Sequence, residues 1–303
     1  MTGLLIFLGL KRVTLKLKMD KIITRQMQQA DIPVAMKLKE AEGWNQTEAD
    51  WALLLSHNPE LCLVAETGGE VAGTVTAINF ENKVAWIGMM LVSKSHRGKG
   101  LSKLLLNTII KQLDACKSIK LDATPAGKKV YDKLGFVDEY GIARMTTQNL
   151  VQPTNNDAAM EPKELTPAKL NEIILYDKKA FGVNREKVLD FLLKNQTEKA
   201  WYLEENGEIT GYILSRPGCN FTQVGPVVAN TLNNAKALLF SVLNKMEGQP
   251  VVVDVMEEHK ELIAWLEGLN FTVQRSFRRM YLKANPFAGN PSQQVLIAGP
   301  ELG

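Results

Sequence analysis

The stretch "SHRGKGLSKLLL", Ser95–Leu106, decides how the rest of the chain is read. Before it stands "VAWIGMMLV", Val84–Val92, an almost wholly apolar run rich in β-formers, which predicts a buried strand. After it, Leu101, Leu104, Leu105, Thr108, Ile109 and Leu113 recur at helical spacing. The stretch is therefore a strand, a basic glycine turn and a helix start. A helix start exposes unpaired backbone N–H groups, and its dipole favours an anion. Gly98 and Gly100 let the backbone come close and take positive φ, while Arg97, Lys99 and Lys103 add positive charge. A solvated basic loop has the same composition, so glycines and cations alone leave both readings open.

Two phosphate loops can be tested against these residues. A nucleoside-triphosphate loop needs G-x-x-x-x-G-K-[ST], but Gly100 is followed by Leu101 and Ser102. A dinucleotide fingerprint needs G-x-G-x-x-G, but Lys103 stands where the last glycine belongs. A third pattern fits better. Arg97-Gly98-Lys99-Gly100-Leu101-Ser102 resembles R/Q-x-x-G-x-G/A, the pyrophosphate loop of the GCN5-related N-acetyltransferases, with Ser102 at the last small position. Further on, "VYDKLGF", Val130–Phe136, resembles the Y-E-K-L-G-F close of the same family's domain.

The resemblance covers about Ile22 to Gln148. It implies an α/β (α+β) fold, a mixed and mostly antiparallel sheet flanked by helices. It implies acetyl-CoA as acyl donor, with the pyrophosphate on the backbone amides of Arg97, Gly98, Lys99, Gly100, Leu101 and Ser102. The end of the preceding strand, at Leu91 and Val92, would pair through its backbone with the pantetheine arm. Tyr131 is the implied general acid. The family often has Asn seven residues before that tyrosine and Ala four before; here Thr124 and Gly127 stand there, and Thr124 is expected to hydrogen-bond the cofactor arm.

Composition sets wider bounds. The chain has 303 residues, 45% hydrophobic and 23% charged, which suits one large or two medium globular domains. A net charge of +3 and the lack of a basic stripe with interleaved aromatics argue against nucleic acid as a partner. Cys62, Cys116 and Cys219 form no metal spacing, so no metal is expected, and the thiols are expected to be reduced and buried in a cytoplasmic protein. The apolar run Leu4–Leu10 has its charges on the wrong side for a signal peptide and is too short to span a bilayer. Residues 1–18 are expected to be an extension or an upstream mis-start, with no membrane partner. Oligomeric state is not legible.

Two halves of the chain can be laid against each other. "VAETGGEVAGTVTAIN" (Val64–Asn79) resembles "YLEENGEITGYILSRP" (Tyr202–Pro217), with Gly73 matching Gly211, 138 positions on. "AWIGMMLV" resembles "TQVGPVVA", and "GFVDEYGIARM" resembles "NFTVQRSFRRM", with Met145 matching Met280. The order is kept and the offset drifts slowly, which reads as a duplication. The predicted organisation is a catalytic domain at 19–148, a Pro- and Asn-containing linker at 149–162, and a degenerate copy at 163–303. In the first copy, strands are predicted at Ile22–Met27, Leu61–Glu66, Val71–Asn79, Ala85–Val92 and Ile119–Ala123, followed by closing strands to Thr147. Helices are predicted at Ile32–Glu42, from Thr47 through Leu55, at Leu101–Ala115 and at Ala126–Leu134. In the second copy the loop shortens to "NTLNNAKALL", Arg97, Gly98 and Gly100 have no counterparts, and Tyr131 falls on Leu266. That copy is expected not to bind coenzyme A in the usual way.

Acetyl transfer to an amine needs a held thioester, a neutral amine and a proton for the departing thiolate. A phenol of pKa about 10 stays protonated near neutrality and can donate, which suits Tyr131. An alkylamine of pKa about 10.4 is rarely neutral at pH 7, a deficit of roughly 4–5 kcal/mol, so a carboxylate or water relay helps. Glu42, with Glu40 nearby, and Asp122 in "KLDATPAG" are the candidate bases. Each of these carboxylates also reads as a solvated or capping group. Trp44 and Trp51 read equally as acceptor-pocket wall and as core, and His96 as a loop residue near phosphate. The resemblance thus implies an acetyl-CoA-dependent N-acetyltransferase acting on the primary amine of a small molecule by direct attack. Protein or peptide acetylation and a non-catalytic acyl-CoA sensor are the alternatives.

Overall fold

A computed structural model describes residues 21–153, 160–195 and 200–303. The expected extension at 1–18 and much of the expected linker lie outside the described residues. The first copy runs β1 (Ile23–Gln26), α1 (Ile32–Glu40), α2 (Glu48–His57), β2 (Cys62–Thr67), β3 (Glu70–Phe80), β4 (Val84–Val92), α3 (Leu101–Gln112), β5 (Ser118–Ala123), α4 (Pro125–Lys133) and β6 (Val137–Thr147). The second runs β7 (Lys163–Glu164), α5 (Leu170–Phe181), α6 (Glu186–Asn195), β8 (Trp201–Glu205), β9 (Glu208–Arg216), β10 (Thr222–Ala229), α7 (Leu232–Leu243), β11 (Val251–Met256), α8 (Lys260–Glu267), β12 (Thr272–Lys283) and β13 (Gln294–Leu296). Local chemistry sets several boundaries. Thr47 caps α2 by accepting from the Asp50 N–H while the Asp50 carboxylate accepts from the Thr47 N–H, a capping box. Pro125 starts α4, where its missing N–H costs nothing.

The strands form one 13-stranded sheet in the order β1-β2-β3-β4-β5-β12-β6-β11-β13-β10-β9-β8-β7. All pairings are antiparallel except β4–β5 and β10–β11, which occupy equivalent places in the two copies. The mixed, mostly antiparallel character is as expected. The expectation of several closing strands within the first copy is corrected: β6 alone closes it, and the strand beside β5 is β12 of the second copy. Conversely, β6 lies against β11. Each copy thus lends its last long strand to the other. Two buried ion pairs sit at the exchange. Arg279 donates from Nε and Nη2 to Asp122, both at 2.8 Å, and Arg144 donates in the same bidentate way to Asp254, both at 2.8 Å.

Alternation along the strands separates two faces. Ile78, Trp86, Tyr212 and Leu214 point to one face, where Trp51 of α2, Ile173 of α5 and Leu189 of α6 join them in a core common to both copies. Val75, Ala77 and Ile87 point to the other, under Leu105 of α3 and Tyr131 of α4. On that same side of the second copy, Ile213 packs with Leu238 of α7 and Leu262 of α8. Trp51 is completely buried in the shared core, so it belongs to packing and not to an acceptor pocket. Cys62 and Cys116 are buried free thiols as expected, whereas Cys219 is exposed because its segment turns at the surface after β9.

Candidate active site

β4 and β5 pair only where Val84–Trp86 meets Ser118–Lys120. Beyond that point they diverge and open a cleft of about 760 Å³. A bulge shapes its wall. Thr76 pairs with Gly88 and Thr74 with Leu91, so the β4 backbone gains a residue between them, and Met89 takes φ 49. The inward phase shifts with it: Trp86 faces the shared core from an even position, Met89 and Leu91 from odd ones. Thr74 Oγ1 holds the turned backbone by donating to Met89 O at 2.8 Å. Leu91 and Val92, the residues expected along the cofactor arm, line this cleft.

One end of the cleft is the loop. Gly98 has φ 76 and Gly100 φ 88, conformations that side chains rarely adopt. Gly100 is the N-cap of α3 and no side chain caps that helix, so its first-turn amides keep their donors available. Arg97, Gly98, Gly100, Leu101 and Ser102 line the cleft, but the Leu101 side chain is buried in the core, which leaves it a backbone role. Lys99 is exposed and outside the lining. The Arg97 guanidinium donates from Nη2 to Glu42 Oε1 at 2.5 Å. His96 lines the cleft at this end.

Tyr131 and Thr124 stand on the α4 side. The Tyr131 ring is buried edge-on to Phe136 with centroids 5.8 Å apart. Its hydroxyl makes no hydrogen bond among the described residues, and burial pushes its pKa up to about 12. Thr124 is the N-cap of α4, its Oγ1 accepting from the Gly127 N–H at 3.1 Å. The hydroxyl proton remains for a second partner in the cleft.

The two expected bases fare differently. Both Asp122 oxygens are held by Arg279, and the side chain is completely buried. Asp122 is therefore corrected to a structural carboxylate that joins the copies, although it borders the cleft. Glu42 lines the cleft with Oε1 on Arg97 and with no hydrogen bond at Oε2 among the described residues. Trp44 lines the same cleft.

Three further lining residues escaped sequence reasoning: Gln46, Arg275 and Glu301. Glu301 lies 255 positions from Gln46, and they meet at 2.8 Å. No spacing pattern encodes such a contact. The only hint is an isolated carboxylate in "AGPELG". Among the described residues, no group of three or more His, Cys, Asp or Glu could hold a metal ion. No described helix is long and apolar enough to cross a membrane.

Comparison with known proteins supplies the rest. Residues 25–136 match the model of the Acetyltransferase (GNAT) family, and residues 173–295 match a model described as Acetyltransferase (GNAT) domain. A Bacillus subtilis protein named as the uncharacterized N-acetyltransferase YitH is 24% identical over 220 residues, 73% of this chain and 77% of its own. The holothin acyltransferase of a Pseudoalteromonas strain is 23% identical over 264 residues, 87% and 88% of the two chains. In structure, a putative acetyltransferase from Pyrococcus horikoshii superposes with TM-score 0.77 at 23% identity, covering 93% of this chain and 96% of that one.

Proposed function

Because the chain belongs to the GCN5-related N-acetyltransferase superfamily, with two such domains in tandem, we propose that it transfers an acetyl group from acetyl-CoA to the primary amine of a small molecule. The observation that carries this reading is the open β4–β5 cleft, with uncapped α3 amides at one end and the unpartnered Tyr131 hydroxyl within it. Acetyl-CoA supplies the thioester as a substrate. The α3 amides of Gly100, Leu101 and Ser102, with Arg97 nearby, receive its pyrophosphate. The free β4 backbone at Leu91 and Val92 receives the amides of the pantetheine arm, and the Thr124 hydroxyl donates to the same arm.

Glu42 takes a proton from the acceptor ammonium so that the neutral amine can attack the thioester, because its Oε2 has no partner to displace. Tyr131 gives its phenolic proton to the departing thiolate. A phenol pushed up to about 12 is a weaker acid than one in water, but a thiolate that forms against the buried ring is itself raised in pKa by the same loss of solvation.

The experiment is direct. Calorimetry with acetyl-CoA tests the donor site, and thiol release with a panel of small amines tests transfer. Absence of acetyl-CoA binding would remove the reading altogether. Binding with release only on peptide acceptors would replace the small-molecule acceptor with a peptide.

A further inference from the structure

Beyond the residues already assigned, the cleft contains polar groups that the fold leaves without partners. Gln46 is 4% exposed and lines the cleft. Its Nε2 donates to Glu301 Oε2 at 2.8 Å, which sets the amide orientation, since a carboxylate accepts only. Gln46 Oε1 is then a buried acceptor with no donor among the described residues. Glu301 accepts from Arg216 Nη2 at its other oxygen. It is 2% exposed and reaches this place because Gly88 of β4 has no side chain: a Cβ there would stand 2.9 Å from Glu301 Cα. Burial pushes the Glu301 carboxyl up from its ordinary range. On the β12 wall, Arg275 is half-buried and lines the cleft; its side chain makes no hydrogen bond or ion pair among the described residues, while Asp254 and Glu42 favour its charge from farther off and Arg144 opposes it. Its neighbour Arg144 is already committed to Asp254. Trp44 and Phe277 add apolar wall.

These groups have complementary needs. A buried amide oxygen without a donor, beside a carboxylate, takes N–H. A guanidinium with no carboxylate hydrogen-bonded to it takes one, in a planar and often bidentate fork. Resting on the acetyltransferase reading, we propose that the acceptor is an amine that also carries a carboxylate, an amino-acid-class molecule. Gln46 Oε1 and Glu301 hold its nitrogen, and Arg275 holds its carboxylate. Arg275 comes from the second copy and Glu301 from the segment that follows it. On this proposal the second copy completes the acceptor site of the first.

The test pairs each acceptor with its decarboxylated counterpart: L-phenylalanine with phenethylamine, L-leucine with isoamylamine, and ω-amino acids with the matching alkylamines. Thiol release from acetyl-CoA is followed with the full chain. Carboxylated acceptors are expected to exceed their partners by about 10²-fold or more in kcat/KM, the scale of a charge-assisted bidentate contact. Arg275→Met is expected to bring that ratio near one, chiefly through KM, and Arg275→Lys to restore part of it. The Arg275 side chain makes no hydrogen bond among the described residues, so the substitution threatens stability little. Better turnover of the decarboxylated amines, or a ratio unchanged in Arg275→Met, would overturn the proposal while leaving the acetyltransferase reading intact. So would acetyl-CoA binding with no release on any member of the panel. Failure to bind acetyl-CoA at all would instead strike the parent reading.

Discussion

The parallel joint between β4 and β5 stays open beyond Trp86, whereas the equivalent joint between β10 and β11 is closed by β13. β10 and β11 pair over Thr222–Val224 and Val251–Val253, then part as their counterparts do. There Leu296 enters between them, facing Val227 on one side and Val255 on the other. The helix starts differ in the same sense. In the first copy Gly100 leaves the α3 amides uncapped; in the second, Thr231 caps α7 by accepting from the Asn234 N–H at 3.2 Å. One scaffold therefore exists in two states. Where the chain leaves strand edges and helix amides unmet, a ligand can meet them; where it meets them itself, the site becomes core.

The sharpest way to break this comparison is to spoil the uncapped helix start. Gly100→Glu forces a side chain onto φ 88 and sets a negative charge where the pyrophosphate would lie. A like charge at contact distance is worth about 4 kcal/mol at an effective dielectric of 20. Acetyl-CoA affinity measured by calorimetry is thus expected to fall by about three orders of magnitude. An unchanged affinity in a folded variant would mean that the loop does not hold phosphate.

The closed joint can be reopened from the other side. Leu296 is 1% exposed, and truncation to Ala is expected to cost about 3 kcal/mol in urea unfolding. Acetyl-CoA stoichiometry should stay at one per chain, because α7 still lacks the glycine loop. A second site appearing in Leu296→Ala would show that β13 alone keeps the cofactor out of the second copy.

Tyr131→Phe sharpens the comparison at the level of chemistry, since the second copy has Leu266 at that place. The ring and its contact with Phe136 survive, and only the proton is lost. Loss of a general acid is typically worth 10²–10⁴-fold. A fall of about 10² in kcat with little change in acetyl-CoA affinity is expected, because on the proposed mechanism Tyr131 acts on the leaving group and not on binding. A wild-type kcat where the chemical step limits turnover would assign the proton to another group.

What the sequence made legible was local. The loop, the flanking strand and helix, Tyr131 and the duplication all lie in short segments whose pattern or resemblance carries them. The exchange of β6 and β12 was not legible, because antiparallel partners from either copy satisfy the same alternation of side chains. Asp122 misled for the same reason: its partner Arg279 stands 157 positions away. Arg144 and Arg279 were visible in the matched segments "IARM" and "FRRM", but nothing local distinguishes a crossing ion pair from a surface one. Gln46, Arg275 and Glu301 converge only once the two copies share a sheet.

The smallest expected effect lies at the outer corners of the sheet, where the two copies solve one problem with different ions. In the first, Arg25 donates from Nη1 and Nη2 to Asp31 at 2.7 and 2.9 Å and from Nε to Glu66 at 2.9 Å. At the same offset of 138, the second copy has Lys163, Lys169 and Glu204, paired at 3.7 Å and 3.3 Å to the one carboxylate. The Arg25 fork, and secondarily the Gln28 N–H, hold the Asp31 carboxyl below its ordinary range against the opposing effect of burial. Glu172 first, then Glu204, hold the Lys169 ammonium above its ordinary range. The signs therefore oppose. A depressed carboxyl stabilises the fold above its unfolded pKa of about 3.9 and loses that contribution as pH falls through the folded value. A raised ammonium stabilises below its unfolded pKa of about 10.4 and loses that contribution as pH rises through the folded value. Arg25 is partly exposed, so Asp31→Asn is expected to cost only about 0.5–1 kcal/mol near neutrality. In urea midpoints taken across pH, the gap between wild type and Asp31→Asn should close on the acid side, and the gap for Lys169→Met on the alkaline side. A gap for Asp31→Asn that persists unchanged well below pH 3 would mean that the side chain acts through packing and not through charge, and the two corners would then differ in shape alone.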